Sequence, residues 1–543
     1  MSSPGIPPHS LATHPFAGLD VTHLLTLRCE TRGSHPFLTW APFEGLPKTW
    51  TYGRFWRDVE RTASALASRG VRLGDHVLVH LDNCPEFLLG WFACARLGAV
   101  AVTTNTRSSG DELRYFVEDC RPVGAITQPR YAELLNRTAP HLRWLVTTDH
   151  DGGVPAPMGT GPDHDSSFAS LLEDRERILP RVADPLVPMC ILYTSGSTAR
   201  PKGIVWTHGN ALWSARVSAA HEELTSDDVH LVYAPLFHSN ALTCSVLPTL
   251  WAGSTMVLLP KWSTSRFWDI SLQHHCTWLS IVGYAQSLFT MEAPRQHSYR
   301  LWGSGVCNMP SDERIGVKTI GWWGMTETIT HGIVGCPSLP NRPMSIGRPA
   351  PEYQLAVVDE AGAPVGPEET GELLIKGVPG VSLFAGYLNQ NDATQASFDE
   401  HGWLMTGDLV TPGTDGYIEF AGRVKDMMRV GGENVAAAEV ERVIMTLPGV
   451  LEAAVVGKPD SSLDEVPVAY VTSSGEIEDA MLRAAVLDRC REELSAFKMP
   501  REVHLVGDLP RVTAGKIDKK ELRKAAARDR APDVDRSAET PEH

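Results

Sequence analysis

The chain has no long apolar run, no surplus of positive charge and no closely spaced cysteines. No uninterrupted hydrophobic stretch in its 543 residues approaches the ~20 that a membrane helix requires, so no membrane span is expected. The net charge is −16, from 49 Lys and Arg against 65 Asp and Glu. That balance argues against a nucleic-acid binder held by a general basic surface. The closest two of the ten cysteines, Cys84 and Cys94, stand too far apart for CxxC-type zinc or redox spacing. They read as buried thiols of a reducing cytoplasm. The opening MSSPGIPPHSLATHPFAGLD has neither a basic region nor an apolar core, so it does not read as a signal peptide. A complete GxGxxG is missing near Gly303-Ser304-Gly305, which removes a dinucleotide-binding reading there. What is present, 43% hydrophobic and 21% charged residues, is an ordinary soluble composition long enough for more than one domain.

The most informative stretch is Tyr193 to Gly203, YTSGSTARPKG. Thr194, Ser195, Gly196, Ser197 and Thr198 carry hydroxyls or no side chain, so the segment can turn tightly while presenting O–H and backbone N–H donors to a phosphate chain. Lys202 adds a positive charge. A Walker A loop is excluded, because Gly203 and Ile204 follow Lys202 where Ser or Thr is required. Composition alone would favour a plain Ser/Gly surface turn. The setting favours a ligand cradle: Met189 to Leu192 enters like a buried strand, and Ile204-Val205-Trp206 leaves like another.

Upstream, Phe55 to Ser68 and Pro85 to Leu97 have helical spacing, His76 to Leu81 and Ala99 to Thr103 are strand runs, and Gly98 fits a helix C-cap. Such alternation predicts βαβ units and a parallel sheet. Asp149 to Ser167, rich in Gly, Pro and Asp, predicts an exposed loop. Val229 to Ala234, Thr255 to Leu259 and Trp278 to Val282 are strand-like, and after Arg348 the strands Gln354 to Val358 and Gly371 to Ile375 suggest a small β-rich subdomain. Beyond Arg423-Val424-Lys425-Asp426 lie about 100 residues with their own pattern, enough for a separate α+β domain. Its strands are expected at Ala453 to Val456, Pro467 to Val471 and Val503 to Val506, and its helix at Asp479 to Leu494. The tail from Arg530 reads as disordered.

Five stretches occur in the order of the signatures of the adenylate-forming superfamily: YTSGSTARPKG, GWWGMTET (Gly321 to Thr328), WLMTGDL (Trp403 to Leu409), GRVKDMMRVGGENV (Gly422 to Val435) and PRVTAGKIDKKEL (Pro510 to Leu522). The chain from about Thr51 to Leu522 resembles that superfamily, and FKMP, GMTETI, PMSIGRP and IKGVPG resemble its crotonobetaine/carnitine-CoA ligase branch. The resemblance implies an α/β fold: a large N-terminal domain, 1–424, of two α/β sheet subdomains plus a β-rich subdomain, then a small mobile α+β domain, 425–528, and a disordered tail, 529–543. It implies a cytoplasmic acyl-CoA ligase that converts a carboxylic acid to its CoA thioester through an acyl adenylate, with ATP, Mg²⁺ and coenzyme A. A homodimer stays open.

Adenylation brings a carboxylate onto the α-phosphorus, anion onto anion, so fixed positive charge must surround the phosphates. By resemblance Lys516 contacts carboxylate and phosphate, although Lys519, Lys520 and Lys524 also allow a plain basic patch. Glu327 is the expected Mg²⁺ ligand, Thr326 bonds the α-phosphate, and Trp323, Gly324 and Met325 border the nucleotide. Asp408 takes the ribose hydroxyls and Arg423 adds a ribose or phosphate contact. His238, Trp302, Gly303, Gly305 and Trp322 are assigned to the acyl pocket, read as apolar and roomy; the bland alternative is a satisfied histidine and ordinary core tryptophans. Gly431 and Gly432 would let backbone pack against the pantetheine arm, or form a plain hairpin turn. Lys425 matches the hinge about which one cleft serves two reactions.

Three features depart from the family pattern. Ala199 stands where glycine is commonest, Trp323 replaces a tyrosine that packs on adenine, and Gly303 to Ile320 is several residues shorter than the norm. They raise a second reading, an enzyme that only transfers a supplied acyl adenylate to CoA. A non-catalytic AMP- or CoA-binding protein is the alternative of another class, and the retained Lys516 and Glu327 argue against it. A luciferase-like oxygenase would need an oxygen-dependent product. A carrier-protein loader is disfavoured, because 27 residues follow Lys516.

Overall fold

The computed structural model describes residues 13–155, 166–193, 201–281, 288, 291–430, 433–460, 463–475, 477–511 and 516–528. The expectations for 194–200, the glycine pair 431–432 and the tail 529–543 lie outside the described residues. The chain forms two compact units, Met1–Gln354 with Lys376–Phe398, and Leu355–Ile375 with Asp399–His543. The boundary expected at 424/425 falls inside the second unit.

The first unit holds two large sheets among its described residues. In the seven-stranded sheet, Val100–Thr103, His76–His80, Gly124–Thr127 and Leu145–Thr147 run parallel, beside Pro188–Tyr193. Val100–Thr103 and Gly124–Thr127 are buried throughout, as strands covered on both faces must be. Tyr52–Ser68 buries Phe55, Val59, Ala63 and Leu66 at helical spacing, and the Thr51 side chain accepts from the Arg54 N–H at its start. Pro85–Leu97 begins with proline and ends on Gly98, whose φ of +72° no β-carbon would favour. Pro188–Tyr193 and Gly203–Thr207 pair antiparallel, with Tyr193 opposite Gly203. The two ends of the cradle segment, Tyr193 and Gly203, are therefore clamped together.

The nine-stranded sheet has a parallel centre of Thr255–Leu258, Val229–Val232, Trp278–Ser280, Leu301–Ser304 and Lys318–Trp323. Asn83, buried at the turn before Pro85, fastens this sheet to the other: its Nδ2 donates to Ala234 O and Leu259 O, both at 3.1 Å, and its Oδ1 accepts from Leu236 N at 2.8 Å. The stretch expected as a loop at Asp149 to Ser167 contains a short hairpin, His150–Asp151 with Val154–Pro155. A period-2 reading misses such a hairpin because two-residue strands have no period.

In the second unit, Gln354–Val358, Gly371–Lys376, Leu404–Pro412 and Ile418–Arg423 make one sheet, and Glu433–Ala436, Met427–Val430, Asp464–Ser473 and Val450–Asp460 make another, joined by Glu502–Leu505. Strand alternation divides the core of the second sheet in two. Ala453 and Val455 face the helices Ala437–Met445 and Asp479–Glu493, and Ala454 and Val456 face the helix Lys519–Ala527. Eight of the ten cysteines are buried, and no helix among the described residues is long and apolar enough to cross a membrane.

Candidate active site

In the first unit the clamped hairpin aims Lys202 at Tyr387. The two-residue strand Gly386–Tyr387 adds to the edge of Gly203–Thr207, with Ile204 opposite Tyr387. That pairing sets the Lys202 ammonium 4.4 Å from the centre of the Tyr387 ring, and the Tyr387 hydroxyl donates to Glu327 Oε1 at 3.0 Å. Burial pushes the Tyr387 phenol up and the Glu327 carboxylate pushes it the same way, so the phenol remains a donor. Sequence reasoning missed Tyr387, since a short edge strand carries no periodic signal. Pro201 O accepts from the Tyr115 hydroxyl at 2.9 Å, which fixes the base of the connection.

Glu327 is 7% exposed and sits in the 3₁₀ turn Thr326–Thr328. Three bonds hold this turn: Trp206 Nε1 donates to Thr326 O at 3.0 Å, Phe384 N to Glu327 O at 2.9 Å, and the Tyr353 hydroxyl to Thr328 O at 2.7 Å. Ile329 follows with φ +66°, a conformation that costs a β-branched residue about 1–3 kcal/mol. Gly324 is required beside it, since a β-carbon there would lie 2.7 Å from Thr330 O.

A cavity of about 160 Å³ opens next to this turn. One wall is Ser239, Asn240, Thr243 and Cys244, and the other runs through Trp322 to Met325 and Ile329 to His331. At its edge Ser239 Oγ lies 3.3 Å from Thr326 Oγ1. Trp322 stacks on His331, with ring centres 4.5 Å apart and planes at 7°, and its ring lies over Gly303, where a β-carbon would come within 1.6 Å of it. Gly305 is open, with nothing within 4 Å of its β position. Trp302 is not brought together with them. It projects from the opposite face of its strand, 1% exposed, into a core with Phe267 and Tyr299. His238 is half-buried one residue before Ser239, against Phe237. Trp323, Gly324 and Met325 all line the cavity.

In the second unit, Asp408 and Arg423 face each other in antiparallel register, with Arg423 Nε 2.8 Å from an Asp408 carboxylate oxygen. Asp408 is 2% exposed. Lys516 is exposed, beside the bridge between Arg511 and Ile517 that closes its loop. Two of its basic neighbours are neutralised locally, Lys519 by Glu441 at 2.6 Å and Lys524 by Glu521 at 2.9 Å, which weakens the basic-patch alternative.

Residues 25–388 match the sequence profile described as AMP-binding enzyme. The chain belongs to the AMP-binding enzyme family. The match ends one residue past Tyr387, so it takes in Lys202, Glu327 and the cavity, and a second match, AMP-binding enzyme C-terminal domain, spans 439–516 and ends on Lys516. Among curated members, the chain is 33% identical over 506 residues to a crotonobetaine/carnitine–CoA ligase of Salmonella agona (strain SL483), covering 90% of this chain and 96% of that one. Its fold is similar to that of an anthranilate CoA ligase, AuaEII, in complex with anthranoyl-AMP (TM-score 0.85, 25% identity, covering 96% of this chain and 99% of that one). It is also similar to ATP-bound MatB from Rhodopseudomonas palustris (TM-score 0.80, 26% identity, 94% and 99%). The family's α/β architecture with a distinct C-terminal domain is therefore the architecture of this protein.

Proposed function

We propose that this protein is an AMP-forming acid–CoA ligase. The observation that carries the reading is the line Lys202, Tyr387, Glu327 beside a small cavity of mixed polar and apolar lining: a cation and a carboxylate held a phenol apart where phosphates and a reacting carboxylate would meet. The acid's carboxylate attacks the α-phosphorus of ATP, the bond to the bridging oxygen breaks, and pyrophosphate leaves. The CoA thiol then attacks the acyl carbon, loses its proton, and AMP leaves.

Lys202 and the hydroxyl-rich connection hold the phosphates, and Lys516 supplies positive charge as the pentacovalent centre forms. Thr326 donates to the α-phosphate. Asp408 accepts from the ribose hydroxyls while Arg423 fixes its orientation. Glu327 suits a hard cation, because its carboxylate is buried and steered by the Tyr387 donor. Magnesium, when bound there, offsets the charge on the phosphates. For the second reaction we propose Gly431 and Gly432 as the wall of the pantetheine tunnel and Lys425 as the pivot between the segments 1–424 and 425–528.

The cavity supports a compact acid. At about 160 Å³ it is the size of a space that holds one benzene-like ring, and Trp322 fills what the sequence suggested was a roomy pocket. No observation favours transfer from a supplied adenylate alone or a non-catalytic nucleotide binder. A screen of small aromatic and short-chain acids, followed by acid-dependent pyrophosphate exchange and CoA-thioester yield, tests the reading. Exchange and thioester with the same acid are expected. Thioester from synthetic adenylate with no exchange for any acid would overturn it.

A further inference from the structure

Three donors converge beside the cavity, none of them assigned a step in the ligase reaction. Glu222 caps the C-terminal end of the helix His208–His221. Cys244 lies in the π-helical turn Leu242–Val246, a local widening of the helix that often marks functional sites. His331 follows the strained Ile329. One donor atom from each lies within 4.8 Å of the other two, and the three residues are 0%, 4% and 3% exposed. Neither carboxylate oxygen of Glu222 has a hydrogen-bond partner among the described residues. A buried carboxyl left so is costly unless a cation or donor comes to it.

The histidine is oriented from behind. His331 Nδ1 is 3.4 Å from His221 Nδ1, and His221 Nε2 is 3.0 Å from Glu352 Oε2. Burial pushes the Glu352 carboxyl up, but the hydrogen bond and charge of His221, with a backbone hydrogen bond and Arg216, together outweigh it and the net shift is downward. An ionised carboxylate only accepts, which assigns the His221 proton to Nε2 and leaves its Nδ1 to accept from His331 Nδ1–H. His331 Nε2 is then a bare lone pair, 3.3 Å from Cys244 Sγ. A carboxylate reaching an imidazole through a relay is how proteins aim a metal-bound histidine.

We propose that Glu222, Cys244 and His331 bind one zinc-class divalent cation, with His221 and Glu352 as positioning residues. Its fourth ligand position opens onto the cavity that Cys244 and His331 line. A mixed sulfur, nitrogen and oxygen set suits Zn²⁺ or Co²⁺ and is wrong for Mg²⁺ or Ca²⁺, so this site is chemically distinct from the one at Glu327. Three protein ligands leave a fourth position for water. The inference rests on no part of the ligase reading.

The test uses the full chain without ATP, CoA or acid. Protein is incubated with excess Zn²⁺ in the presence of Mg²⁺, desalted, and its metal content measured; a parallel sample takes Co²⁺ and its absorption spectrum is recorded. One cation per chain is expected, with an intense near-ultraviolet thiolate-to-cobalt band and the visible bands of a four-coordinate ion. Cys244→Ser removes the thiolate band, whereas Cys276→Ser, at another buried thiol, keeps it. His221→Ala weakens zinc binding by about 10–100-fold. A protein that retains no cation, a cobalt spectrum without a thiolate band, or a band that persists in Cys244→Ser overturns the proposal. Where Cys244→Ser fails to fold, Glu222→Gln, which keeps every thiol, decides the question: it is expected to lose the four-coordinate cobalt spectrum, and a folded variant with an unchanged spectrum overturns the proposal.

Discussion

Gly303 and Trp322 show how one residue's size is set by another's ring. A methyl group at 303 would fall inside the Trp322 ring, so Gly303→Ala must push the indole off His331 and into the cavity. We expect a loss of about 1–3 kcal/mol in denaturant unfolding, the usual cost of overpacking, and a rise in KM for the acid with little change for ATP. A KM change confined to ATP would contradict the placement. Tyr387→Phe keeps the ring beneath Lys202 but deletes the donor to Glu327. A hydrogen bond to a charged group contributes about 1.5–3 kcal/mol, so pyrophosphate exchange is expected to fall by about ten-fold or more. Glu327 and Lys202 were legible as candidate residues because motifs marked them, and Gly303 through the tryptophans beside it. Tyr387, Cys244 and Glu222 were not, since each acts through a partner distant in the chain. Trp302 was misplaced because sequence cannot say which face of a strand points to the cavity until the neighbouring strands are known.

At the level of elements, the returning segment Lys376–Phe398 decides whether Tyr387 reaches its place. Asn210, in the first turn of His208–His221, donates from Nδ2 to Val381 O and Leu383 O, both at 2.8 Å, while its Oδ1 accepts from Thr207 N. Asn210→Ala removes both Nδ2 bonds: Leu383 O keeps the Gly380 N–H at 2.8 Å, while the Val381 carbonyl loses its Asn210 donor at about 1–3 kcal/mol. Lower thermal stability and a lower turnover number are expected together, because the strand carrying Tyr387 loosens; unchanged turnover in the folded variant would refute the coupling.

The hairpin His150–Asp151 to Val154–Pro155 is tied to the helix Pro85–Leu97 by His150 Nε2 and Glu86 Oε2 at 3.2 Å. Burial works against both charges, but the pairing outweighs it: Glu86 is held below its ordinary 4.5 and His150 above its ordinary 6.5. Glu86 therefore contributes stability above pH 4.5 that is lost as pH falls through its lowered value. His150 contributes below pH 6.5 and loses that contribution as pH rises through its raised value. His150→Gln should flatten the decline of melting temperature on the alkaline side of 6.5, measured by a pH series of thermal melts. The helices Tyr52–Ser68 and Pro85–Leu97 were legible from spacing and caps, whereas the two-residue strands, too short for any period, were not.

For the whole molecule, the proposal divides two half-reactions between residues of the two units. Lys516→Ala should depress pyrophosphate exchange by about 10²–10³-fold, the scale of losing one preorganised electrostatic contact, while thioester formation from synthetic adenylate persists. Gly431→Leu should do the reverse, sparing exchange and blocking the thiol. Variants that lose both half-reactions in parallel would contradict the division of labour. The ordered motifs, the alternation of helix and strand and the caps were written in local sequence, because hydrophobic period and turn chemistry act over a few residues; they determined the α/β class and the family, and they marked the residues proposed to adenylate. Only the folded chain decided that Tyr387 links Lys202 to Glu327, that Trp322 rather than Trp302 closes the cavity, and that Glu222, Cys244 and His331 share one buried point. Those are meetings between segments tens to hundreds of residues apart, fixed by sheet register and side-chain packing, which no local pattern encodes.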